Sequence, residues 1–346
     1  MLNMNKIRLG FIGVGGIATG RHIPTFRTFD EVEIAAVHDV DIKRAEKVAE
    51  ELGIPGVFAD IEDMYPHVDA IVICTPNKFH AELSINAMDN GKHVLCEKPM
   101  AMTTEECNAM IEAEKRNGVR LHIAYHYRYM KEAIASKKII ERGMIGDPLV
   151  VRVRGLRRRK VPGWGVFTNY DLQGGGALID YGCHLLDMAM YLMGDVKPVE
   201  VSSTTYNHLS RTNTVNEWGH FNRDTFEVED HVSAFIRFNN GATMLFETSW
   251  AANIPEDENH ISISGTKAGL DVFNMQVNQA DEDLMTTMRI DYIKVDETFS
   301  RLQAEDFISA IKYETPLTVT SEEAKEVSKI IEAIYLSSKE QRSIRL

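Results

Sequence analysis

Apolar runs alternate with amphipathic segments through the first third of the chain. The runs are short, and they read IRLGFIG, EIAAVHD, DAIVICT and HVLCEKP. Between them, apolar residues recur at helical spacing near residues 42–52 and 79–90. Buried strands that alternate with amphipathic helices are typical of a parallel sheet covered by helices. The pattern therefore predicts an α/β domain over residues 1–125.

The pattern changes after residue 125, where longer strand-like runs follow one another. They read LVVRVRG, VEVSSTTY, HVSAFIRFNNGATMLFETSW and ISISGTKAGLDV, with tight turns at residues 240–241 and 267–269. Such turns join antiparallel strands. Helical spacing returns near residues 301–313 and 322–338. We therefore predict a second α/β domain, residues 126–346, with an open and largely antiparallel sheet.

One predicted helix of this second domain, within GGGALIDYGCHLLDMAMYLMG, is apolar except for a few polar side chains. A helix turns by about 100° per residue, which places those side chains on one stripe. They are Asp180, His184, Asp187 and Tyr191. Charged groups are rarely buried without partners, so we expect this stripe to face a polar cavity, a ligand or a counter-charge.

Composition and charge narrow the classes of function. The apolar and charged contents, 44% and 26% of the 346 residues, are typical of a globular protein, and the net charge of −13 argues against nucleic acid or an anionic membrane as a partner. Neither a signal-peptide pattern at the start, MLNMNKIRLGFIG, nor a run of about 18 apolar residues is found, which predicts a cytoplasmic protein. The four cysteines form no C-x-x-C pair, which favours reduced thiols.

A glycine-rich motif directly follows the first predicted strand. It reads Gly13-Val14-Gly15-Gly16-Ile17-Ala18, which is G-x-G-x-x-A at the start of a helix. The first glycine permits a tight turn, the second lets backbone N–H groups approach a pyrophosphate, and the small alanine allows close packing of helix on strand. We predict that residues 13 and 15–17 bind a dinucleotide in a Rossmann fold.

An acidic residue, Asp39, ends the second predicted strand, where a ribose 2′-hydroxyl would be bound. Because a carboxylate repels a 2′-phosphate, we expect NAD rather than NADP. Lys43 and Arg44 lie close enough in sequence to keep NADP as the lesser alternative. A plain glycine turn with a helix-capping aspartate is the alternative interpretation of the whole motif.

Further polar residues follow the next two strands, at the sheet edge where open α/β sheets bind ligands. Thr75, Asn77 and His80 are candidates for the dinucleotide cleft, although Thr-Pro-Asn is also a common turn and His80 could cap a helix. Glu97 and Lys98 reach the same edge, which directs Lys98 toward the nicotinamide end. An ordinary surface pair before a proline is the alternative for these two.

Taken together, these motifs resemble the Gfo/Idh/MocA oxidoreductases, which include inositol dehydrogenases, glucose-fructose oxidoreductase and other sugar dehydrogenases. The resemblance runs from GFIGVGGIA through CTPNKFHAE, EKP and GGGALIDYGCHLLD to EAIYLSSKEQRSIRL. It implies a Rossmann domain and an α/β domain whose open sheet commonly forms the subunit interface. It also implies that Lys98, Asp180 and His184 meet at the nicotinamide, so that the polar stripe faces Lys98 and the substrate.

The chemistry of alcohol oxidation explains these residue types. A hydride moves to the nicotinamide and the hydroxyl loses a proton, and an imidazole with an ordinary pKa of roughly 6.5 suits the general base His184. Asp180 could orient this imidazole or bind the substrate, and Lys98 would stabilise a developing alkoxide. We predict no catalytic metal, since Cys183 lies about 100° away from His184 on a helix and no further ligand cluster completes a site.

Residues for substrate specificity are harder to identify. Arg157 and Trp164 lie in the segment before the glycine-rich run, where they could bind hydroxyls and stack on a sugar. A solvated basic loop or a subunit contact is the alternative for that segment. Arg128 is a candidate for cofactor or substrate binding, and His126 stands where the family often carries the asparagine of an Asn-x-Arg sequence.

We therefore predict an NAD-dependent dehydrogenase that oxidises a ring hydroxyl of a sugar or cyclic polyol, such as an inositol, to a ketone. The alternatives are an NAD-retaining glycosidase of the same family and a regulatory protein that senses a dinucleotide or sugar. The family habit of pairing second-domain sheets predicts a homodimer or a homotetramer.

Overall fold

The computed structural model describes residues 6–212 and 215–346. The prediction that the chain starts without a signal peptide rests in part on residues 1–5, which lie outside the described residues. The chain divides into two compact units. The first runs to His126 and includes Glu297–Lys325, and the second comprises Tyr127–Asp296 and Glu326–Leu346. The division predicted from the sequence did not include the return of residues 297–325 to the first unit.

Six parallel strands form the sheet of the first unit within its described residues, in the order β3-β2-β1-β4-β5-β6. They are β1 (Ile7–Ile12), β2 (Val32–His38), β3 (Gly56–Val57), β4 (Ala70–Ile73), β5 (His93–Cys96) and β6 (Leu121–Ile123). This order is that of a Rossmann fold. The predicted parallel α/β fold is confirmed, and the carboxyl ends of β1, β4 and β5 lie side by side at one edge.

The helices of the first unit connect these strands or return to them from the end of the chain. They are α1 (Ile23–Phe26), α2 (Ile42–Leu52), α3 (Ile61–Met64), α4 (His80–Asp89), α5 (Thr104–Asn117) and α10 (Phe299–Tyr313). Local chemistry sets their ends. The Thr103 side chain and the Glu106 side chain cap the start of α5 reciprocally, and Gly53, in a left-handed conformation, ends α2.

Helix α10 completes the core of the first unit. Phe307 and Ile308 are buried in the same apolar cluster as Phe11 and Phe26. Phe307 packs edge-to-face on Phe26 at 6.5 Å between ring centroids and stacks on His122 at 6.1 Å. This part of the core therefore depends on residues that are about 280 positions apart in the sequence.

Nine strands form the sheet of the second unit, counted over the part of the chain that the structure describes, in the order β14-β13-β12-β11-β7-β10-β9-β8-β15. They are β7 (Pro148–Leu156), β8 (Pro198–Tyr206), β9 (His231–Phe238), β10 (Thr243–Ser249), β11 (Glu258–Gly265), β12 (Ala268–Asp271), β13 (Gln276–Asp281), β14 (Leu284–Arg289) and β15 (Ile344–Arg345). The pairing of β7 with β10 is parallel and the other pairings are antiparallel. The predicted largely antiparallel sheet is confirmed.

The remaining helices are α6 (Lys131–Glu141), α7 (Tyr170–Gln173), α8 (Cys183–Met193), α9 (Leu209–Thr212) and α11 (Ser321–Glu340). A π-helical segment, Leu178–Gly182, leads directly into α8. The sequence predicted one regular helix here. The π turn shifts Asp180 out of the 100° phase of α8, and such segments are frequent at functional sites.

Within the described ranges, no helix is long and apolar enough to cross a lipid bilayer.

Candidate functional site

The glycine-rich loop after β1 leaves open space on its outer side. Gly13 has a φ of +84°, and a Cβ there would lie 2.8 Å from the carbonyl oxygen of Cys74, so this position requires glycine. A Cβ on Gly15 or Gly16 would meet no atom of the described residues within 4 Å. Ile17 is 38% exposed beside that space. The loop therefore leaves room for an anion close to its backbone, and dinucleotide binding by its residues stays a prediction.

Asp39 connects this loop to the end of β2. Its Oδ2 accepts a hydrogen bond from the Val14 N–H at 3.0 Å, and its Oδ1 accepts one from the Asp41 N–H at 2.9 Å. Arg44 Nη1 lies 3.6 Å from the same carboxylate and Arg44 Nη2 lies 3.8 Å from that of Asp41. The carboxylate is thus fixed at the site predicted for ribose, and the nearby arginine is neutralised by two acids.

The residues predicted after β4 take different positions. Thr75 Oγ1 is buried and has no hydrogen-bond partner among the described residues, which suits a ligand atom at this edge. The His80 ring is fully buried, with Nδ1 2.8 Å from the Pro99 carbonyl oxygen and Nε2 3.0 Å from that of Thr75. The His80 ring therefore connects the loop after β4 to the loop after β5. Asn77 is buried at the start of a short 3-10 helix, residues 77–79. Cofactor binding by these three residues stays a prediction.

Glu97 lies at the centre of a buried charged cluster in the first unit. Its Oε1 accepts hydrogen bonds from His22 Nε2 at 2.7 Å and from Arg21 Nη2 at 3.3 Å, and its Oε2 accepts one from the Lys98 N–H at 3.2 Å. Burial by itself would raise the pKa of Glu97, but the charge of Arg21 and the bond from His22 outweigh it and hold the pKa below its usual range. Glu97 therefore stays ionised and anchors the half-buried Lys98 through its backbone.

His126 extends this cluster toward α10. Its Nδ1 accepts from Arg21 Nη1 at 3.1 Å, and its ring stacks on Phe299 at 5.1 Å between centroids. Arg21 also donates to Gln303 Oε1 at 3.2 Å. Burial, with the charge of Arg21, lowers the pKa of His126 to about 3. His126 is therefore neutral at physiological pH.

In the second unit, two donors orient the Asp180 carboxylate. Its Oδ2 accepts hydrogen bonds from Trp250 Nε1 at 3.0 Å and from Arg157 Nη1 at 3.2 Å. The Asp180 side chain is 18% exposed, while Trp250 is fully buried. The carboxylate is therefore held rigidly with part of its surface accessible, as a substrate-binding group requires.

His184 follows one turn later and is 7% exposed. Its ring stacks on Tyr127, with centroids 4.7 Å apart and planes inclined by 15°. The next residue, Arg128, is fully buried, and its guanidinium donates to both Asp187 oxygens at 2.7 to 3.2 Å. The counter-charge expected for Asp187 is thus Arg128, and this pair fixes both the helix of His184 and the ring stacked on it. A role of Arg128 in cofactor binding stays a prediction.

Glu229 fixes the glycine-rich entry to the π segment. Its carboxylate accepts hydrogen bonds from the N–H groups of Gly176 at 2.8 Å and Leu178 at 2.9 Å, and from the Tyr335 hydroxyl at 3.1 Å. Burial raises the pKa of Glu229 to about 7, against the lowering effect of these bonds. The sequence offered no signal for this contact, since Glu229 lies in a polar segment about 50 positions away.

Arg157 and Trp164 belong to an aromatic cluster next to Asp180. The Arg157 guanidinium carbon lies 4.1 Å from the Tyr181 ring centroid and 4.6 Å from that of Trp218, which in turn lies 5.4 Å from that of Trp164. The sequence indicated only that the polar segment 218–230 could form an active-site loop, and nothing in that segment singled out Trp218. Across the residues with described placement, no three His, Cys, Asp or Glu side chains gather as a metal site would require.

The structure therefore assembles the predicted residues in two groups. The first unit holds the glycine loop, Asp39, Thr75 and Lys98, and the second unit holds Arg157, Trp164, Asp180 and His184. The meeting of Lys98 with Asp180 and His184 stays a prediction.

Comparison with known proteins gives the context of these groups. Residues 7–125 match the family described as "Oxidoreductase family, NAD-binding Rossmann fold", and residues 137–346 match its "C-terminal alpha/beta domain". The chain is 32% identical over 341 residues to the D-glucoside 3-dehydrogenase of Escherichia coli, covering 97% of each chain. It is 28% identical over 352 residues to the myo-inositol 2-dehydrogenase of Thermotoga maritima, covering 98% of each.

A solved structure of levoglucosan dehydrogenase in complex with NADH is similar over 99% of both chains, with a TM-score of 0.81 and 25% identity. The open glycine loop, the fixed Asp39 and the Thr75 hydroxyl, for which the described residues offer no hydrogen-bond partner, fit a dinucleotide. The first unit is an NAD-binding Rossmann domain. The chain belongs to the Gfo/Idh/MocA oxidoreductase family.

Proposed function

We propose that this protein is an NAD-dependent dehydrogenase that oxidises a ring hydroxyl of a sugar or a cyclic polyol to a ketone. The observation that carries the proposal is the Asp180 carboxylate, fixed by Arg157 and Trp250 one turn before His184. A rigid hydrogen-bond acceptor in the turn that precedes an imidazole offers the two groups needed to position a hydroxyl group and remove its proton. The named activities of the similar sugar and inositol dehydrogenases support the same reaction class.

His184 is the general base in this proposal. Its ring orientation is set by the Tyr127 stack, and its helix is anchored by the ion pair of Arg128 and Asp187. Asp180 accepts a hydrogen bond from a substrate hydroxyl, because Arg157 and Trp250 bind its Oδ2 and hold the carboxylate in one orientation. In the reverse direction His184 returns the proton.

Lys98 supplies positive charge where the alkoxide develops, which favours the transition state over the neutral alcohol. Its backbone is fixed by the ionised Glu97. The residues that would hold NAD are the loop Gly13–Ile17, Asp39 and Thr75, and NAD when bound accepts the hydride from the substrate carbon. Asn77, His80, Glu97 and Arg128 complete the proposed set around them.

The test uses Lys98→Met and His184→Ala with Lys267→Met, an exposed lysine of a turn, as control. Both site variants should bind NAD as the wild type does and lose roughly 100-fold to 10,000-fold in turnover, because each removes a group that acts in the transition state. NADH formation at 340 nm with a panel of sugars and inositols measures turnover, and fluorescence titration measures NAD binding. Wild-type turnover in both variants would contradict the site.

The same panel separates the alternatives. Release of an aglycone without net NADH would indicate the glycosidase, and sugar binding without any turnover would indicate a sensor.

We also propose that the protein is a homodimer or homotetramer through the open face of the second-unit sheet. Leu245 is 47% exposed on this face, directly across from Phe235 on the neighbouring strand. Arg152 and Glu247 on the same face offer charges of both signs that a second copy could match. Light scattering should give a molar mass of two or four times 39.1 kDa, and Leu245→Asp should lower that mass. A monomeric wild type would contradict this proposal.

A further inference from the structure

Two tryptophans of the second unit expose their rings while a third is buried nearby. Trp164 is 53% exposed and Trp218 is 37% exposed, and their ring centroids are 5.4 Å apart. Trp250 is fully buried in the apolar cluster below. That cluster therefore has its own tryptophan, and the two exposed rings are not needed to fill it. We call Trp164 and Trp218 the indole pair.

Hydrogen bonds hold together the two segments that carry the indole pair. The Asn216 side chain accepts from the Val161 N–H at 2.8 Å and donates to the Val161 carbonyl oxygen at 2.9 Å. The Glu217 N–H donates to the Arg159 carbonyl oxygen at 2.8 Å. These bonds join the segment that carries Trp164 to the one that carries Trp218. The rings are held in place, so their exposure is a built feature of the surface.

The indole pair is continuous with the proposed catalytic acid. Arg157 binds Asp180 at 3.2 Å with one face of its guanidinium toward Tyr181 and places Trp218 4.6 Å away. A single guanidinium therefore separates the Asp180 carboxylate from Trp218, and Trp164 extends the aromatic surface further out. The indole pair is therefore close enough to Asp180 to meet a second ring attached to a sugar that Asp180 binds.

We propose that the indole pair is a subsite for the ring-bearing aglycone of a glycoside, so that the preferred substrate is a glycoside, such as a disaccharide, rather than a free monosaccharide or an inositol. The inference rests on the proposed function and names its substrate class. Sugar rings present flat C–H faces that stack on aromatic side chains, while their hydroxyls take hydrogen bonds from an arginine. The half-exposed Trp164 ring offers the first chemistry, and Arg157, whose guanidinium lies over the Trp218 ring, offers the second.

The kinetic test compares a free sugar, its methyl glycoside and its disaccharide, in both the glucose and the galactose series. Wild-type kcat/KM should be roughly tenfold higher for the disaccharide than for the methyl glycoside, because one added ring stacks on the indole pair. In Trp164→Ala and Trp218→Ala this ratio should fall toward one through a higher KM. Tyr292→Ala, which removes a ring that is 76% exposed outside the pair, should keep the ratio of the wild type. A wild type without preference for the disaccharide, or an unchanged ratio in both tryptophan variants, would overturn the subsite.

A binding measurement separates this inference from the proposed reaction. Calorimetry with the NAD-loaded protein should show disaccharide binding that weakens roughly tenfold in each tryptophan variant. If no sugar yields NADH, the proposed function fails, and calorimetry still decides the subsite. Equal disaccharide affinity in the wild type and both variants would refute the subsite even if turnover is high.

Discussion

The two units each begin a functional helix with a glycine-rich turn, and the two turns are built for opposite purposes. Gly13–Gly16 leads into the π-helical segment Ala18–His22, and Gly174–Gly176 leads into the π-helical segment Leu178–Gly182. In both, a buried carboxylate accepts a backbone N–H of the turn: Asp39 from Val14, and Glu229 from Gly176. The local design is therefore the same.

The surroundings of the glycines differ. Within the part of the chain that the structure describes, a Cβ on Gly15 would meet no atom within 4 Å. A Cβ on Gly176 would instead overlap the carbonyl oxygen of Glu229, and a Cβ on Gly175 would overlap the Tyr335 hydroxyl. The first turn is thus shaped to leave room for a ligand, and the second is shaped to let protein close around it. Glycine runs that look alike in sequence therefore leave open space in one unit and allow close packing in the other.

The comparison is tested most severely by Gly176→Ala. The new methyl group would collide with backbone rather than with a flexible side chain, so the loss of folding stability should be about 3 kcal/mol. Urea unfolding at pH 7 measures it. Gly20→Ala, at a helical position where a Cβ meets nothing within 4 Å, is the control and should not lose stability. A stable Gly176→Ala protein would mean that the second turn is not closely packed.

Next in size is the pH dependence that Glu229 gives to the second turn. Burial raises the pKa of Glu229 from 4.5 to about 7. As the pH rises, the unfolded chain therefore loses this proton near pH 4.5, while the folded protein keeps it until about pH 7. The free energy of unfolding should therefore be highest below pH 4.5 and fall as the pH rises to 7. The total fall is on the order of 3 kcal/mol.

Glu229→Gln should remove this slope from the stability measured between pH 5 and pH 7.5. The exposed neighbour Glu227→Gln should retain it. An identical slope in wild type and Glu229→Gln would show that Glu229 titrates normally.

The first turn should respond in cofactor binding instead. Asp39→Ala removes the carboxylate that accepts hydrogen bonds from two N–H groups and, as proposed, from the ribose. The loss of about 2 kcal/mol in binding free energy should lower kcat/KM for NAD roughly 30-fold. It also frees Arg44, so the ratio of NADP to NAD activity should rise. The double variant Asp39→Ala with Arg44→Ala should lose that rise. An unchanged NADP to NAD ratio in Asp39→Ala would contradict the assignment of Asp39 to cofactor choice.

The smallest expected effect is that of Gly15→Ala. The methyl group enters open space, so the unfolding temperature should not change, while the dissociation constant for NAD should rise roughly tenfold because the backbone no longer approaches the pyrophosphate. Scanning calorimetry and fluorescence titration measure the two quantities. A loss of stability with unchanged NAD affinity would reverse the roles of the two turns.

Local patterns were sufficient to predict much of the first unit. The glycine loop and Asp39 follow directly from strand ends, and helix α2 has the predicted bounds, because strand, turn and helix are determined by neighbouring residues. Helices α10 and α11 were also predicted to within two residues at each end, because their apolar periodicity is long and regular. Strands β13 and β14 were missed because most of their side chains are exposed, which removes the alternation that marks a strand.

The contacts that shape the candidate site join residues far apart in sequence, so the pattern could not reveal them. Asp187 was recognised as needing a partner, but its partner Arg128 lies 59 positions away. Similarly, the predicted Glu97 gave no sign of its bond to His22, 75 positions earlier. The stripe predicted for Asp180 and His184 assumed a regular helix and did not include the π segment Leu178–Gly182. The first residue of that segment, Leu178, donates its N–H to Glu229, and helical spacing in the sequence does not reveal this contact.

The return of α10 to the first unit affects the order in which the protein can be made. Phe307 and Ile308 fill the cluster around Phe26, and Lys312 pairs with Glu31 at 3.0 Å. A ribosome must therefore translate strands β7 to β14 of the second unit before the nucleotide domain acquires its last apolar layer. Until then the nascent nucleotide domain exposes the face around Phe26. The second unit in turn requires residues 326–346, so neither unit can be completed until residues 297–346 have been made.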